Sequence, residues 1–309
     1  MPLYLSEADV GSLITTAEAV PVLEECFRRM AAGEVENVPR RRLPVVGGFL
    51  AVMSAADVGL GFAGQKSYAV VNGAATFVVC LFSLGDGALA AVIEADRLGQ
   101  VRTGAATGVA AKHLARNGAE TLGIIGCGTQ AVTQLEAVRA AVPTIERALA
   151  WCRTPERLAD FCVRTGAEPA ESSHDVAACD VVVTMTSAKD PVLRGEWLRE
   201  GALVCAAGAN RPRARELDNV VLQRAAFVCC DSKENARVES GDLIDPIEAG
   251  VLDWLEVHEL QEVVAGTIVG RQDESDIVVF KSNGLDAWDI AIGAEVVRRA
   301  RELGVGREV

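Results

Sequence analysis

The stretch Ala119-Glu-Thr-Leu-Gly-Ile-Ile-Gly-Cys-Gly-Thr-Gln-Ala131 decides the fold of this chain. Its apolar centre, Leu122, Ile124 and Ile125, predicts a buried strand that runs directly into a glycine turn. The residues that follow predict a helix over about 129–141. A strand, a tight glycine turn and a helix in this order form the first unit of a nucleotide-binding Rossmann domain.

The turn itself matches the pattern G-x-G-x-x-A, in which each small residue has a physical reason. Gly126 and Gly128 lack the Cβ atoms that would stop the backbone from turning sharply and approaching a pyrophosphate, and Ala131 lets helix pack on strand. The helix begins at Thr129 and Gln130, where free N–H groups and the positive dipole end favour phosphate. We predict a dinucleotide site here, although a glycine turn without a cofactor is the alternative.

The second strand, Ile145 to Trp151, ends where a Rossmann unit meets the adenosine ribose. An acidic residue there accepts from the 2′-hydroxyl of NAD, whereas an arginine binds the 2′-phosphate of NADP. This chain offers Cys152, Arg153 and Thr154 and no carboxylate. The sequence therefore predicts a preference for NADP(H), with NAD(H) possible and a surface arginine of no particular role as the alternative.

Composition narrows the classes of function. The chain has 309 residues, half of them hydrophobic, and a formal net charge of −13, which suits two domains and argues against nucleic acid or an anionic membrane as partner. Nine cysteines and three histidines are scattered without a C-x-x-C motif, so no metal site is expected. No signal segment or long apolar run is evident, and we expect a cytoplasmic protein.

Three cations in the first third stand among apolar or small neighbours. After two capped helices, glycine-punctuated strands are predicted from about residue 40 to 94, which would make a sheet ahead of the Rossmann unit. Arg40 and Lys66 lie within it, and Arg102 lies near the start of a Gly- and Ala-rich helix. Fixed cations of this kind can bind a substrate carboxylate. The alternative is that Arg40 is solvated with its two arginine neighbours and that Lys66 reaches solvent.

Beyond Arg153 helices and strands alternate, which predicts a parallel sheet. Apolar strands at 181–184, 202–207 and 226–230 are followed by loops that should face the ligand. Two of these loops carry the candidate residues Thr184, Thr186 and Asn210.

Several motifs, in order, resemble the ornithine cyclodeaminase/mu-crystallin family over nearly the whole chain. They are Thr103 after Arg102, the turn at 126–131, Arg153-Thr154, the segments 208–218 and 239–242, and Val279-Phe-Lys-Ser-Asn-Gly284 with Ser282. The resemblance implies an α/β fold in which a Rossmann-type parallel sheet domain, 117–284, is inserted into a discontinuous α+β substrate-binding and dimerisation domain, 1–116 and 285–309. It also implies a homodimer and cofactor contacts from Thr103, Thr184, Thr186 and Ser282.

Two departures from the cyclodeaminase pattern bear on function. Ala51 and Asn210 stand where cyclodeaminases resemble one another in carrying acids, and neither can act as a general base. The sequence thus predicts an NADPH-dependent reductase of cyclic imino acids, with Arg40, Lys66 and Arg102 holding the carboxylate. Lys66, or a water held by Asn210, is a candidate proton donor. A cyclodeaminase with bound NAD and a non-catalytic NADPH-binding protein remain the alternatives.

Overall fold

The computed structural model describes every residue, Met1–Val309, and separates into two compact units. The first unit comprises Met1–Arg102 and Leu285–Val309, and the second comprises Thr103–Gly284. The division falls inside one continuous helix, Asp96–Leu114, and the predicted domain bounds of 117–284 stay a prediction. Which unit binds substrate and which binds cofactor stays a prediction.

The N-terminal part of the first unit is a layer of helices followed by a meander of strands. Its elements are β1 (Leu3–Leu5), α1 (Glu7–Leu13), α2 (Thr16–Ala31), β2 (Val35–Val45), β3 (Gly48–Asp57), β4 (Phe62–Val71), β5 (Ala74–Ser83), β6 (Leu89–Glu94) and α3 (Asp96–Leu114). Ser6 begins α1 with the predicted capping box, and Thr15 begins α2 with another. A shift of register between Val38 and Arg41 sets two residues of β2, Pro39 and Arg40, opposite one residue of β3.

The second unit is the predicted doubly wound parallel sheet. Its elements are β7 (Thr121–Ile125), α4 (Thr129–Ala141), β8 (Arg147–Trp151), α5 (Pro155–Thr165), β9 (Glu168–Pro169), α6 (Ser173–Ala177), β10 (Val181–Thr184), a 3-10 turn (Gly195–Trp197), β11 (Leu203–Ala206), α7 (Asn219–Arg224), β12 (Ala225–Cys230), α8 (Lys233–Glu239), α9 (Gly241–Glu248), β13 (Val257–Glu259), α10 (Leu260–Val264) and β14 (Ile277–Lys281). The strand order is β13-β12-β14-β11-β10-β7-β8-β9, with every pair parallel. The fold class predicted from the sequence is confirmed.

Two C-terminal elements, α11 (Asp286–Leu303) and β15 (Arg307–Glu308), complete the first unit. The sheet there has the order β15-β1-β6-β5-β4-β3-β2, and α11 packs against its central strands. Trp288 and Ile290 are fully buried on that side, together with Ala51 and Met53 of β3. Because side chains alternate along a strand, neighbouring apolar residues such as Leu50 face away and are partly exposed.

None of the helices combines the length and the apolar composition that crossing a membrane would require.

Candidate active site

A cavity of about 480 Å³ opens in the second unit at the carboxyl ends of β7, β8 and β10. The chain leaves β7 toward β8 on one side of the sheet and later returns to β10 on the other, so this is the topological switch point at which doubly wound sheets bind ligands. The lining brings together five predicted residues: Gly126, Gly128, Arg153, Thr154 and Thr186.

The glycine turn fits a pyrophosphate. Gly126 has φ +109°, and a Cβ there would lie 2.2 Å from the carbonyl oxygen of Met185, so only glycine fits. Gly128 begins α4, and a Cβ on it would meet nothing within 4 Å. The next residues, Thr129 and Gln130, are exposed at the N-terminus of the helix, while Ala131 is buried against the sheet. The turn therefore presents bare backbone and free N–H groups to open space, as a phosphate site requires.

Cations outnumber carboxylates around this cavity. Four basic side chains line it, Arg153, Arg157, Lys189 and Arg194, against the single carboxylate of Asp190. In a chain with a net charge of −13, this is a local reversal of sign. Such a lining attracts an anionic ligand with more than one negative group. Three of these cations, Arg157, Lys189 and Arg194, were missed in the sequence because only the fold brings their loops together.

A buried carboxylate fixes the loops that carry Thr186 and Asn210. Glu216 accepts hydrogen bonds from the backbone N–H and hydroxyl of Thr186, both at 2.7 Å, and from the N–H groups of Gly208 and Ala209 at 2.8 and 3.0 Å. Burial raises the pKa of Glu216, whereas the nearby Lys281 ammonium and these donors oppose that rise. The Thr186 side chain is thus used to order the loop, and half-buried Asn210 directly follows the segment that Glu216 holds.

Lys281 and Asp242 extend this network. Both side chains are fully buried, with Lys281 Nζ 3.0 Å from Asp242 Oδ2 and donating at 2.6 Å to the carbonyl oxygen of Ala209. Asp242 Oδ1 accepts from the N–H groups of Glu216 and Leu217. We call Glu216, Asp242 and Lys281 the loop network. Its charged groups form hydrogen bonds and ion pairs with one another, with backbone groups and with the Thr186 hydroxyl.

The remaining predicted cofactor residues lie in the second unit, outside the cavity lining. Ser282 is buried and its hydroxyl donates at 3.3 Å to Asp231, which also accepts from the N–H groups of Asn283 and Gly284. Thr184 is fully buried and its hydroxyl has no partner. Thr103 is 7% exposed on α3.

The first unit holds a second concentration of charge. Lys66 Nζ lies 2.8 Å from Asp289 Oδ1, and Arg102 Nε lies 3.4 Å from the same oxygen. Arg102 also stacks over the Trp288 ring. Although Arg102 is only 7% exposed, its Nε and one terminal nitrogen have no hydrogen-bond partner, and the second oxygen of Asp289 has none either. Buried charged groups are normally saturated with hydrogen bonds, so unused donors here indicate a place for an anionic ligand.

Asp286 completes this group, which we call the charge cluster: Lys66, Arg102, Asp286 and Asp289. Burial and the neighbouring Asp289 raise the pKa of Asp286 well above its ordinary value. No hydrogen bond of standard geometry reaches either carboxyl oxygen, although the backbone N–H of Lys66 faces the group and favours its charged form. Burial also lowers the pKa of Lys66, with Arg102 acting in the same direction and Asp289 against it. Both acids were missed because the sequence suggested only the start of a helix.

Arg40 lies beside the cluster rather than in solvent. It is 7% exposed, and its Nε lies 3.3 Å from the sulfur of Met53, the residue directly opposite Lys66 on the neighbouring strand. Ala51 lies two residues before Met53 and is buried on the same side of β3. A carboxylate at that position would face the same side of the sheet as Lys66, and alanine leaves none there.

No group of three or more His, Cys, Asp or Glu side chains is arranged to hold a metal ion.

A Rossmann sheet with a glycine turn of this kind is typical of dinucleotide-binding proteins. Comparison of the sequence with known proteins identifies the family. The chain belongs to the ornithine cyclodeaminase/mu-crystallin family, which it matches over residues 2–303. It is 34% identical to the alanine dehydrogenase of Archaeoglobus fulgidus, covering 99% of this chain and 98% of that one. It is 32% identical to mouse ketimine reductase mu-crystallin, covering 96% of both.

Among solved structures, the Δ1-pyrroline-2-carboxylate reductase of Thermococcus litoralis, in complex with NADH and L-proline, superposes with a TM-score of 0.93. The two are 32% identical, and the match covers 99% of this chain and all of that one. Family membership and the Rossmann architecture, both predicted from the motifs, are confirmed. The two curated relatives are named as a dehydrogenase and a reductase, and the Thermococcus structure holds NADH, which supports an NAD(P)-dependent oxidoreductase as the broad class of this chain.

Proposed function

We propose that this protein is an NADPH-dependent reductase of cyclic imino acids of the Δ1-pyrroline- or Δ1-piperideine-2-carboxylate type, giving L-amino acids. The observation that carries the proposal is the buried guanidinium of Arg102 with unused donors, beside a buried lysine. A carboxylate next to an imine nitrogen matches this pair chemically. The Thermococcus reductase named above, whose reaction has this form, supports the substrate class.

The cofactor would supply hydride to the imine carbon; the chain's own residues bind and protonate the substrate. Arg102 offers its nitrogens that lack hydrogen bonds to the substrate carboxylate, with Arg40 of β2 as a further cation. Lys66 is our choice of proton donor to the imine nitrogen. Burial lowers the pKa of Lys66, which favours release of its proton, whereas the Asp289 carboxylate acts in the opposite direction and favours the ammonium.

The residues at two positions disfavour the cyclodeaminase alternative. Ammonia expulsion needs carboxylates that assist amine deprotonation, and Ala51 and Asn210 provide none. Asn210 can hold a water or a substrate amide-like group by hydrogen bonding, but it cannot carry the negative charge that steadies a developing ammonium.

The preference for NADPH rests on the second unit's cavity. Arg153 and Arg157 flank the end of β8, and Thr154 caps α5 without using its side chain on the helix. These groups suit a 2′-phosphate, whereas the one lining carboxylate, Asp190, belongs to another loop. The Thermococcus relative was solved with NADH, so the preference is a property we assign to this chain's own arginines.

A homodimer is the expected assembly. The face of the first sheet opposite α11 leaves several apolar side chains partly exposed: Val38, Leu43, Leu50 and Phe82. A second copy covering this face would bury them. We expect a dimer at micromolar concentration by sedimentation, and a stable monomer would contradict it.

The function is tested by a screen of cyclic and acyclic imino acids with NADPH, followed at the nicotinamide absorbance. An ammonia assay on ornithine and lysine is run beside it. We expect NADPH oxidation with a cyclic imine carboxylate and no ammonia release. Ammonia from ornithine without net cofactor consumption would establish the cyclodeaminase instead. Tight NADPH binding with no turnover of any imine would establish the non-catalytic binder.

A further inference from the structure

Only two of the nine cysteines line the cofactor cavity, and they come from adjacent strands. Cys127 lies between the two glycines of the turn after β7, and Cys152 directly follows β8. Both are half-buried, so reagents entering the cavity reach them. By contrast, Cys26, Cys205 and Cys229 are fully buried in the core.

The backbone fixes these two cysteines close together. β7 and β8 are parallel neighbours with Ile125 opposite Trp151, and the N–H of Gly126 donates at 2.8 Å to the carbonyl oxygen of Trp151. Continuing that register puts Cys152 across from Gly126, so Cys127 is its diagonal neighbour on strands that lie about 4.8 Å apart. A disulfide spans Cα atoms roughly 4.4–6.8 Å apart. The pair therefore sits at the end of a tightly held ladder, one residue beyond its last hydrogen bond.

The thiols interact across this gap. Burial and a hydrogen bond with the Cys152 side chain raise the pKa of the Cys127 thiol. The sulfur of Cys152 lies 3.4 Å from the carbonyl oxygen of Thr154, at the start of α5. Cys162, on α5, influences Cys127 only through its charge and does not line the cavity. Of these three thiols, only those of Cys127 and Cys152 face the cavity.

We propose that Cys127 and Cys152 are an oxidative modification site that closes into a reversible disulfide across the nucleotide pocket. The oxidant class is a peroxide. The Cys152 thiolate attacks one peroxide oxygen and the O–O bond breaks, giving a sulfenic acid and, after protonation, water. The Cys127 sulfur then attacks the sulfenic sulfur, the S–O bond breaks, and a second water leaves. The two thiols lose two electrons in total, and the peroxide gains them.

The disulfide would compete with dinucleotide for the same space, and this part rests on the proposed dinucleotide function. An S–S bond of about 2.05 Å is much shorter than any contact between two separate thiols. Formation of the disulfide draws Cys127 toward the end of β8. The bonded sulfurs then lie between the glycine turn and the end of β8, where the dinucleotide would bind. The turn cannot simply follow, because its start is held by hydrogen bonds from Gly126 N–H to the Trp151 carbonyl oxygen and from Met185 N–H to the Ile125 carbonyl oxygen, at 2.8 and 2.9 Å. The N–H groups that face the pyrophosphate are therefore displaced.

The test uses the full-length reduced protein, treated with hydrogen peroxide and then freed of it. NADPH and NADH binding are titrated by fluorescence before and after, and the cysteines are mapped by alkylation and peptide mass spectrometry. We expect a linked Cys127–Cys152 peptide and a Kd raised by about tenfold or more, because the phosphates lose their backbone donors. A dithiol should restore the original Kd, and NADPH added before peroxide should slow the linkage.

Two variants separate this site from its neighbour. Cys162→Ser should respond to peroxide as the wild type does. In Cys152→Ser the ratio of the Kd values after and before peroxide should be about one, whatever its starting Kd. Peroxide treatment that leaves binding unchanged with no linked peptide would overturn the proposal, as would a Cys152–Cys162 link. If the reduced protein binds neither dinucleotide, the proposed function fails, while peptide mapping still decides whether the disulfide forms.

Discussion

The loop network of the second unit and the charge cluster of the first each bury a lysine with two acids, yet they differ in how completely their polar atoms are used. Glu216 accepts four hydrogen bonds, and Asp242 accepts two through Oδ1. In the loop network, only Asp242 Oδ2 lacks a hydrogen bond, and it forms an ion pair with Lys281. In the charge cluster, Arg102 has unused donors and Asp286 has unused acceptors. A nearly saturated network orders the backbone, whereas one with several unused polar atoms is suited to a partner that arrives from outside.

The largest effect should come from making the same substitution in both groups. Asp242→Asn leaves the buried Lys281 ammonium without its counter-charge and should lower the free energy of unfolding by roughly 3–5 kcal/mol. Measured at a pH near the ordinary pKa of aspartate, Asp286→Asn should change the free energy of unfolding by less than about 1 kcal/mol. Chemical denaturation of the two variants beside the wild type measures both.

The pH dependence of stability distinguishes Asp242→Asn from Asp286→Asn further. Because the pKa of Asp286 is raised on folding, its carboxyl costs stability as pH rises above the ordinary value of 3.8 toward the folded one. Asp286→Asn removes this cost, so its stability relative to the wild type should increase between pH 4 and 7. Equal losses of stability in Asp242→Asn and Asp286→Asn at pH 7 would remove the distinction between the two groups.

A third group of charges, the exposed cations that line the cavity of the second unit, forms no ion pair with an acid. Arg153→Ala should erase a preference for NADPH over NADH of roughly ten- to a hundredfold, the worth of one charge-assisted contact to a 2′-phosphate. Titration of both cofactors against wild type and variant measures it. Arg164→Ala, an exposed arginine on α5 outside the pocket, is the matched control and should keep the preference. Equal or tighter NADH binding by the wild type would reject the assignment.

The smallest effect concerns the acid that holds Lys66. Asp289 raises the pKa of Lys66, so Asp289→Asn should lower it and move the alkaline limb of kcat/KM to lower pH by roughly one unit. Asp286→Asn should move that limb less, because Asp286 raises the pKa of Lys66 more weakly than Asp289 does. The pH profiles of imine reduction in the two variants decide between them. An unmoved limb in Asp289→Asn would mean that Lys66 is not the titrating proton donor.

Individual residues show which parts of the fold and of the candidate site can be predicted from the sequence. The strand, the glycine turn and α4 follow from local patterns, and residues 129–141 form the predicted helix. The importance of Arg40, Lys66 and Arg102 followed from cations set among apolar neighbours, and all three are buried. Asp289, the partner of Lys66 and Arg102, lies 223 residues from Lys66, and no local pattern predicts such a contact.

Other features could not be predicted because they depend on contacts between residues far apart in the sequence or because their local pattern is ambiguous. Arg157 and Lys189 reach the cavity only because α5 and the loop after β10 converge on it. Strand β2 begins at Val35, earlier than the predicted strand region, because its polar, mostly exposed residues resemble a loop. Thr186 lines the cavity, and no local pattern predicts that its hydroxyl donates to Glu216, an acid thirty residues away.

The most direct test of the central claim, that the unused donors of Arg102 bind the substrate carboxylate, is the kcat/KM of wild type and Arg102→Ala with Δ1-pyrroline-2-carboxylate and NADPH. Loss of that contact should cost about 2–5 kcal/mol in kcat/KM, mainly through KM, because a buried carboxylate is left unpaired. NADPH binding to the variant should stay unchanged. An Arg102→Ala variant with wild-type kinetics would show that the charge cluster binds no substrate carboxylate.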